Sequence, residues 1–139
     1  MKIKNALRPN DEQIEDFSKG DVDKPISMIN LLKFKETAVY KDRRETNITG
    51  QDRTGQEAWA IYSQACQNIH LKKVGGEGNF SGVVSQLMIG EIEELWDWVV
   101  IVKYPIRKAM LEMIIDKDYL ESEKRRSLGL KGQLNIETK

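Results

Sequence analysis

Apolar positions change their spacing several times along the chain, and each change marks an element. Ile14 and Phe17 stand three apart behind Asn10, Asp11 and Glu12, whose side chains suit the free amides and positive dipole end of a helix, and Gly20 closes that short helix. Over residues 25–35, in Pro-Ile-Ser-Met-Ile-Asn-Leu-Leu-Lys-Phe-Lys, apolar side chains fall on both parities, as in a strand covered on both faces. Residues 36–53 are charged, contain Thr, Asn and Gly, and keep no period. They read as a long loop of the kind that serves as a lid or stays disordered, and the expectation is a lid over a pocket near Asn30.

Thr54 and Glu57 then form a capping box, and Trp59, Tyr62, Cys66 and Ile69 recur on one helical face until Gly75-Gly76 stops it. Residues 80–89 and 95–104 are two runs rich in Val, Ile and aromatic residues, joined by Gly90 and an acidic connection; they predict an antiparallel hairpin. Pro105 suits the first position of a helix carrying Ile106, Ala109, Met110 and Met113 as its stripe. Residues 116–118 interrupt it, a more polar helix follows over 119–128, and after Gly129 and Gly132 the alternation Leu134, Asn135, Ile136, Glu137 predicts a closing strand. The order strand, helix, strand, strand, helix, strand is the split β-α-β pattern of ferredoxin-like α+β domains. Helices then cover one sheet face, and strands apolar on both faces imply a partner on the other: a homodimer that closes a dimeric α+β barrel.

Length and charge narrow the picture. A chain of 139 residues fits a single domain, 1–139, with the short helix in front. Lys plus Arg and Asp plus Glu are 22 each, so no net field gathers nucleic acid or an anionic membrane. No apolar run approaches the ~20 residues that span a bilayer. One cysteine, Cys66, and a start without a signal-peptide core predict a cytoplasmic protein.

Ile29-Asn30-Leu31-Leu32-Lys33-Phe34, Thr54-Gly55 with Glu57-Ala58 and Tyr62, and Val74-Gly75-Gly76 resemble the uncharacterised family catalogued as domain of unknown function 1330. The likeness continues through Ile89-Gly90, Trp96-Asp97, Val102-Lys103-Tyr104-Pro105 with Arg107, Asp116, Asp118-Tyr119 and residues 126–130. Ile106 stands where such proteins often have a small hydroxyl residue, and Lys117 where a proline is expected. The resemblance covers roughly residues 25–137 and implies a dimeric α+β barrel without an established activity. Fold relatives include cofactor-independent oxygenases, isomerases and dehalogenating enzymes, but one fold hosts many functions.

Candidate chemistry is sparse. Cys66 and His70, four apart on a predicted helix, reach one point in space, but two ligands do not make a metal site; the reading is a small core residue and a helix-end cation, with no metal and no cofactor. Asn30 interrupts an apolar strand and needs hydrogen-bond partners if buried, and Gln86 repeats the question in the second strand. Trp59, Tyr62, Trp96, Trp98 and Tyr104 offer aromatic walls, although such spacing equally serves a core, while Lys33, Lys103 and, near a helix start, Arg107 suit a carboxylate. Seven of these, Asn30, Lys33, Trp59, Tyr62, Gln86, Trp98 and Arg107, are the candidate ligand-binding residues. Asp97, between Trp96 and Trp98, reads as a strand-end residue that would serve as a base only if desolvated. Two functions fit: a cofactor-independent small-molecule enzyme with its pocket between sheet and helices, or a non-catalytic ligand-binding or interaction homodimer.

Overall fold

A computed structural model describes residues 2–38 and 53–139. Asn10 caps α1 (Asp11–Lys19): its side chain accepts from Gln13 N–H, and the Gln13 side chain accepts from Asn10 N–H in return. Strand β1 (Ile26–Phe34) is followed by α2 (Gly55–Ala65), which Thr54 and Glu57 cap reciprocally. The same helical rod continues through a π-helical turn (Cys66–His70) into α3 (Leu71–Val74) and ends at Gly75, whose φ of 74° suits a residue without Cβ. Then come β2 (Glu77–Val83), β3 (Trp98–Tyr104), α4 (Arg107–Ile115), α5 (Lys117–Gly129) and β4 (Leu130–Thr138).

The four strands form one antiparallel sheet in the order β2-β3-β1-β4. The helices of the described residues lie on one face. On that face the even positions of β1 and β3 enter the core: Ile26, Met28, Val102 and Tyr104 pack with Cys66, Leu71, Met113 and Tyr119, and Leu32 and Val100 pack with Trp59 and Leu130. Helices α2 and α5 cross where Gly55 and Gly129 face each other; a Cβ on Gly55 would stand 2.2 Å from Lys35 O and 2.4 Å from Gly129 O. Asp116 both stops α4 and caps α5, accepting from the Asp118 and Tyr119 amides.

Several expectations need correction. The second strand ends at Val83 rather than 89, because residues 94–96 turn away from it toward Lys33, Lys131 and Asn5, leaving residues 85–89 nothing to pair with. Pro105 precedes the helix, which begins at Arg107 with Ile106 as its cap. Ile69 is half exposed and His70 buried, the reverse of the predicted face, since the wide π turn shifts the inward position by one residue. The lid expected over residues 36–53 lies largely outside the described residues.

Candidate functional site

The sheet has two unlike faces, and the candidate residues divide between them. Asn30, Trp59, Tyr62 and Trp98 share the helix side. Asn30 sits between Val100 and Asn135 in the register, and its Nδ2 donates to Met28 O and Val100 O, both at 3.3 Å. Trp59 packs its ring on Phe34 (centroids 5.6 Å) and Trp98 (6.2 Å), and Trp98 Nε1–H donates to Ser81 Oγ at 2.7 Å. Tyr62 and Tyr119 bring their hydroxyls within 3.3 Å. Burial, and then the neighbouring Tyr119, raises the Tyr62 phenol well above its ordinary value; burial likewise raises Cys66 and Tyr119, so all three stay protonated at neutral pH.

The remaining candidates lie elsewhere. Lys33 points to the helix-free face and folds onto Leu95 O (2.9 Å) and the Asp97 carboxylate (3.0 Å). Asp97 also accepts from Phe34 N–H at 2.8 Å, so its role here is to tie the start of β3 to the end of β1. Gln86 is exposed on the β2–β3 connection, its Nε2 3.0 Å from Met88 Sδ, and not in a strand. Arg107 is buried: it donates to Phe17 O at 3.2 Å, pairs with the Glu137 carboxylate, and stacks 4.6 Å above the Phe17 ring. It fastens α1 to the sheet.

Two concavities open beside the helical rod. The larger, about 470 Å³, runs between the π turn and the edge strand β2, with Leu71 and Val100 at its apolar base and Gln67, Lys72, Glu77, Asn79 and Ser81 among its polar lining residues. None of the seven candidates lines it, although Trp98 reaches it through Ser81. The smaller, about 220 Å³, is lined by His70, Lys73, Glu112 and Asp116 among others. His70 Nε2 lies 2.9 Å from Ser122 Oγ, while its buried Nδ1 has no hydrogen-bond partner among the described residues. Among those residues no group of three or more His, Cys, Asp or Glu side chains stands close enough to hold a metal ion. No helix among them is long and apolar enough to cross a membrane.

Sequence reasoning missed the cleft because its floor is made where the rod and β2 meet. The sequence reading started the second strand at residue 80 rather than at Glu77, and the π turn beside which Gln67 and Leu71 come over β2 has no signature in apolar spacing.

Among the described residues the opposite face carries no helix. Across it run two rows of side chains, Phe80, Ile101, Ile29, Ile136 and then Gly82, Val99, Leu31, Leu134, with the Phe80 ring lying over Gly82. None of them belongs to either core cluster. Phe80 is 55% exposed and Ile136 45%.

A four-stranded antiparallel sheet in this order, helices on one side, is the ferredoxin-like α+β arrangement. The chain is 30% identical to the RPA0582 protein of Rhodopseudomonas palustris, a protein of unknown function, over 98% of this chain and 97% of that one, with a TM-score of 0.84. The chain belongs to the family of that protein. A dimeric protein of unknown function and ferredoxin-like fold from Bacteroides fragilis shares the fold alone, at 8% identity, TM-score 0.50, over 83% of this chain and 95% of that one. So does SnoaB, a cofactor-independent oxygenase from Streptomyces nogalater, at 7% identity, TM-score 0.50, over 84% and 92%. No protein-family model matches the chain, so the name read from its motifs rests on the motifs, and no curated protein matches it either.

Proposed function

We propose that the chain works as a homodimer joined through its helix-free sheet faces into an α+β barrel, and that each protomer holds a small, partly apolar ligand in the cleft between β2 and the π turn. The observation that carries this is the pair of apolar rows on the open face, which join into one continuous patch of the kind soluble proteins cover with a partner. Their self-complementary, uncharged centre suits a two-fold interface, and Lys103 paired across from Ser27 and Glu77 places charge at its rim.

Binding is the reading of the cleft, and turnover the second one. The tyrosines and thiol of the helix-side core are held neutral by burial, and the cleft's polar lining residues, Gln67, Lys72, Glu77, Asn79 and Ser81, are suited to positioning a ligand. What favours catalysis is the buried group of Tyr62, Tyr119, His70 and Ser122, in which the two phenols bond each other, His70 bonds Ser122 Oγ, and the Tyr119 and His70 rings meet edge to face. Sedimentation velocity at micromolar protein is expected to give a dimer that Ile29→Lys with Ile101→Lys converts to a folded monomer. A wild-type monomer would overturn the assembly. A metabolite screen by thermal shift separates the two readings of the cleft: stabilisation lost in Ser81→Trp without product formation is expected, and product formation would favour the enzyme.

A further inference from the structure

The π turn carries a cost at its last residue. Apolar spacing assigns Ile69 to the interior, where it would need no partner, but the extra residue of the turn brings in His70, 2% exposed, and leaves Ile69 in solvent. The buried imidazole is then only half satisfied. Its Nε2 lies 2.9 Å from Ser122 Oγ and its ring meets Tyr119 edge to face at 5.6 Å, while the buried Nδ1 has no hydrogen-bond partner among the described residues. An unpaired buried polar atom is unfavourable, and a chain that departs from its apolar pattern to place one in a cavity wall gains when a bound molecule pairs it.

That wall belongs to the smaller concavity, about 220 Å³, where the end of the helical rod (His70, Lys73, Val74) meets α4 (Glu112, Met113) and the joint at Asp116. The charges of Lys73 and Asp116 act directly on the ring. Two carboxylates of this lining face one ammonium, and the ammonium is engaged: Lys73 Nζ lies 3.0 Å from Asp118 Oδ2 and 3.7 Å from Asp116 Oδ2. Glu112 has Lys108 only at 4.0 Å, both side chains being more than half exposed. An anion entering here would meet Glu112 and Asp116, so the lining favours a cation. With no group of three or more His, Cys, Asp or Glu side chains placed to hold a metal among the described residues, the cation that fits is one that donates hydrogen bonds. A neutral imidazole whose Nε2–H donates to Ser122 presents Nδ1 as a bare acceptor, which is the group such a cation needs.

We propose that this cavity is a ligand site separate from the cleft at β2 and takes a small primary ammonium compound. One ammonium N–H donates to His70 Nδ1, the carboxylates of Glu112 and Asp116 balance the charge, and a short carbon chain lies on Val74 and Met113. The volume, below the range of about 300–1,000 Å³ that drug-sized ligands occupy, limits that chain to a few carbons. The site is built within one protomer and does not depend on the homodimer reading.

His70 is the single histidine, so protein labelled with ¹⁵N-histidine gives one unambiguous pair of ring-nitrogen NMR signals. n-Propylammonium chloride is titrated into the full chain at neutral pH and constant ionic strength, beside tetramethylammonium chloride, which carries the charge without an N–H. The expected result is an Nδ1 that is unprotonated in the free protein and moves saturably with n-propylammonium but not with tetramethylammonium. In Glu112→Gln, a change at an exposed side chain, half-saturation should need several-fold more amine. An Nδ1 that carries the proton in the free protein, a response that does not saturate, an equal response to tetramethylammonium, or undiminished affinity in Glu112→Gln would each overturn the proposal. A saturable shift with zinc chloride and none with the amine would make this a metal site and overturn it as well.

Discussion

His70 is the single histidine, and its surroundings set a pH response. Burial, and next the Lys73 ammonium, hold its imidazole below the ordinary 6.5; the carboxylates of Asp116 and Asp118 pull the other way, and Glu112 shares the same cavity. The folded chain therefore keeps His70 neutral at a pH where the unfolded chain protonates it. The unfolded state binds more protons in that window, so the stability present above pH 6.5 falls as pH drops toward the lowered folded value. Asp116, Glu94 and Glu121 are also lowered, by amide hydrogen bonds at Asp116 and by lysine partners at the glutamates, but their contributions fade below their ordinary 3.8 and 4.5, outside the histidine window. Urea midpoints are expected to fall between pH 7 and 5.5 for the wild type and to stay level for His70→Gln; parallel slopes would remove the assignment. The sequence placed His70 at a helix end but not in the interior, because one extra residue in the turn decides which of positions 69 and 70 faces the core. Arg107 was hidden for a related reason. A basic residue at a helix start looks the same whether it holds an anion or, as here, Glu137 and the Phe17 ring.

Helix α2 depends on two adjacent residues for different reasons. Thr54 satisfies the Glu57 amide, and losing a cap of this kind costs about 1 kcal/mol, so Thr54→Ala should lower stability by roughly that amount. Gly55 touches the backbone oxygens of Lys35 and Gly129, which cannot yield as a side chain would. Gly55→Ala must push α2 off α5 and is expected to cost more than Thr54→Ala, on the order of 2–3 kcal/mol by the scale of overpacked cores. Chemical denaturation of both variants beside the wild type reads the ranking directly, and the reverse order would mean that the crossing relaxes. At this scale the sequence was largely legible. Caps at Asn10 and Thr54, the interruption at residue 116 and the glycine stop at residue 75 are local chemistry, and the chain obeys them. The β2–β3 connection was not, since Leu87, Met88 and Ile89 have strand composition and only the departure of residues 94–96 toward Lys33 and Lys131 denies them a partner strand. The cleft was illegible for the same kind of reason: it exists where distant segments meet.

Over the whole molecule, the alternation of β1 and β3 carried the most information. Ile29, Leu31, Val99 and Ile101 are as apolar as the core positions between them, and the helices reach only the even set. If a second copy covers the odd set, association is part of folding, and the apparent stability must rise with protein concentration by mass action. The expectation is a wild-type Tm that climbs by several degrees from 1 to 100 μM. For a domain of this size a change of ~1 kcal/mol moves Tm by about 2–8 °C, and a hundredfold rise in concentration supplies ~2.7 kcal/mol to a coupled dimer. The Ile29→Lys, Ile101→Lys chain should unfold at one temperature across that range, because the lysines charge the middle of the patch without entering the helix-side core. A wild-type Tm independent of concentration, in protein that sediments as a dimer at both ends of the range, would mean that the protomer folds to full stability alone and that the sheet faces add affinity but no folding energy.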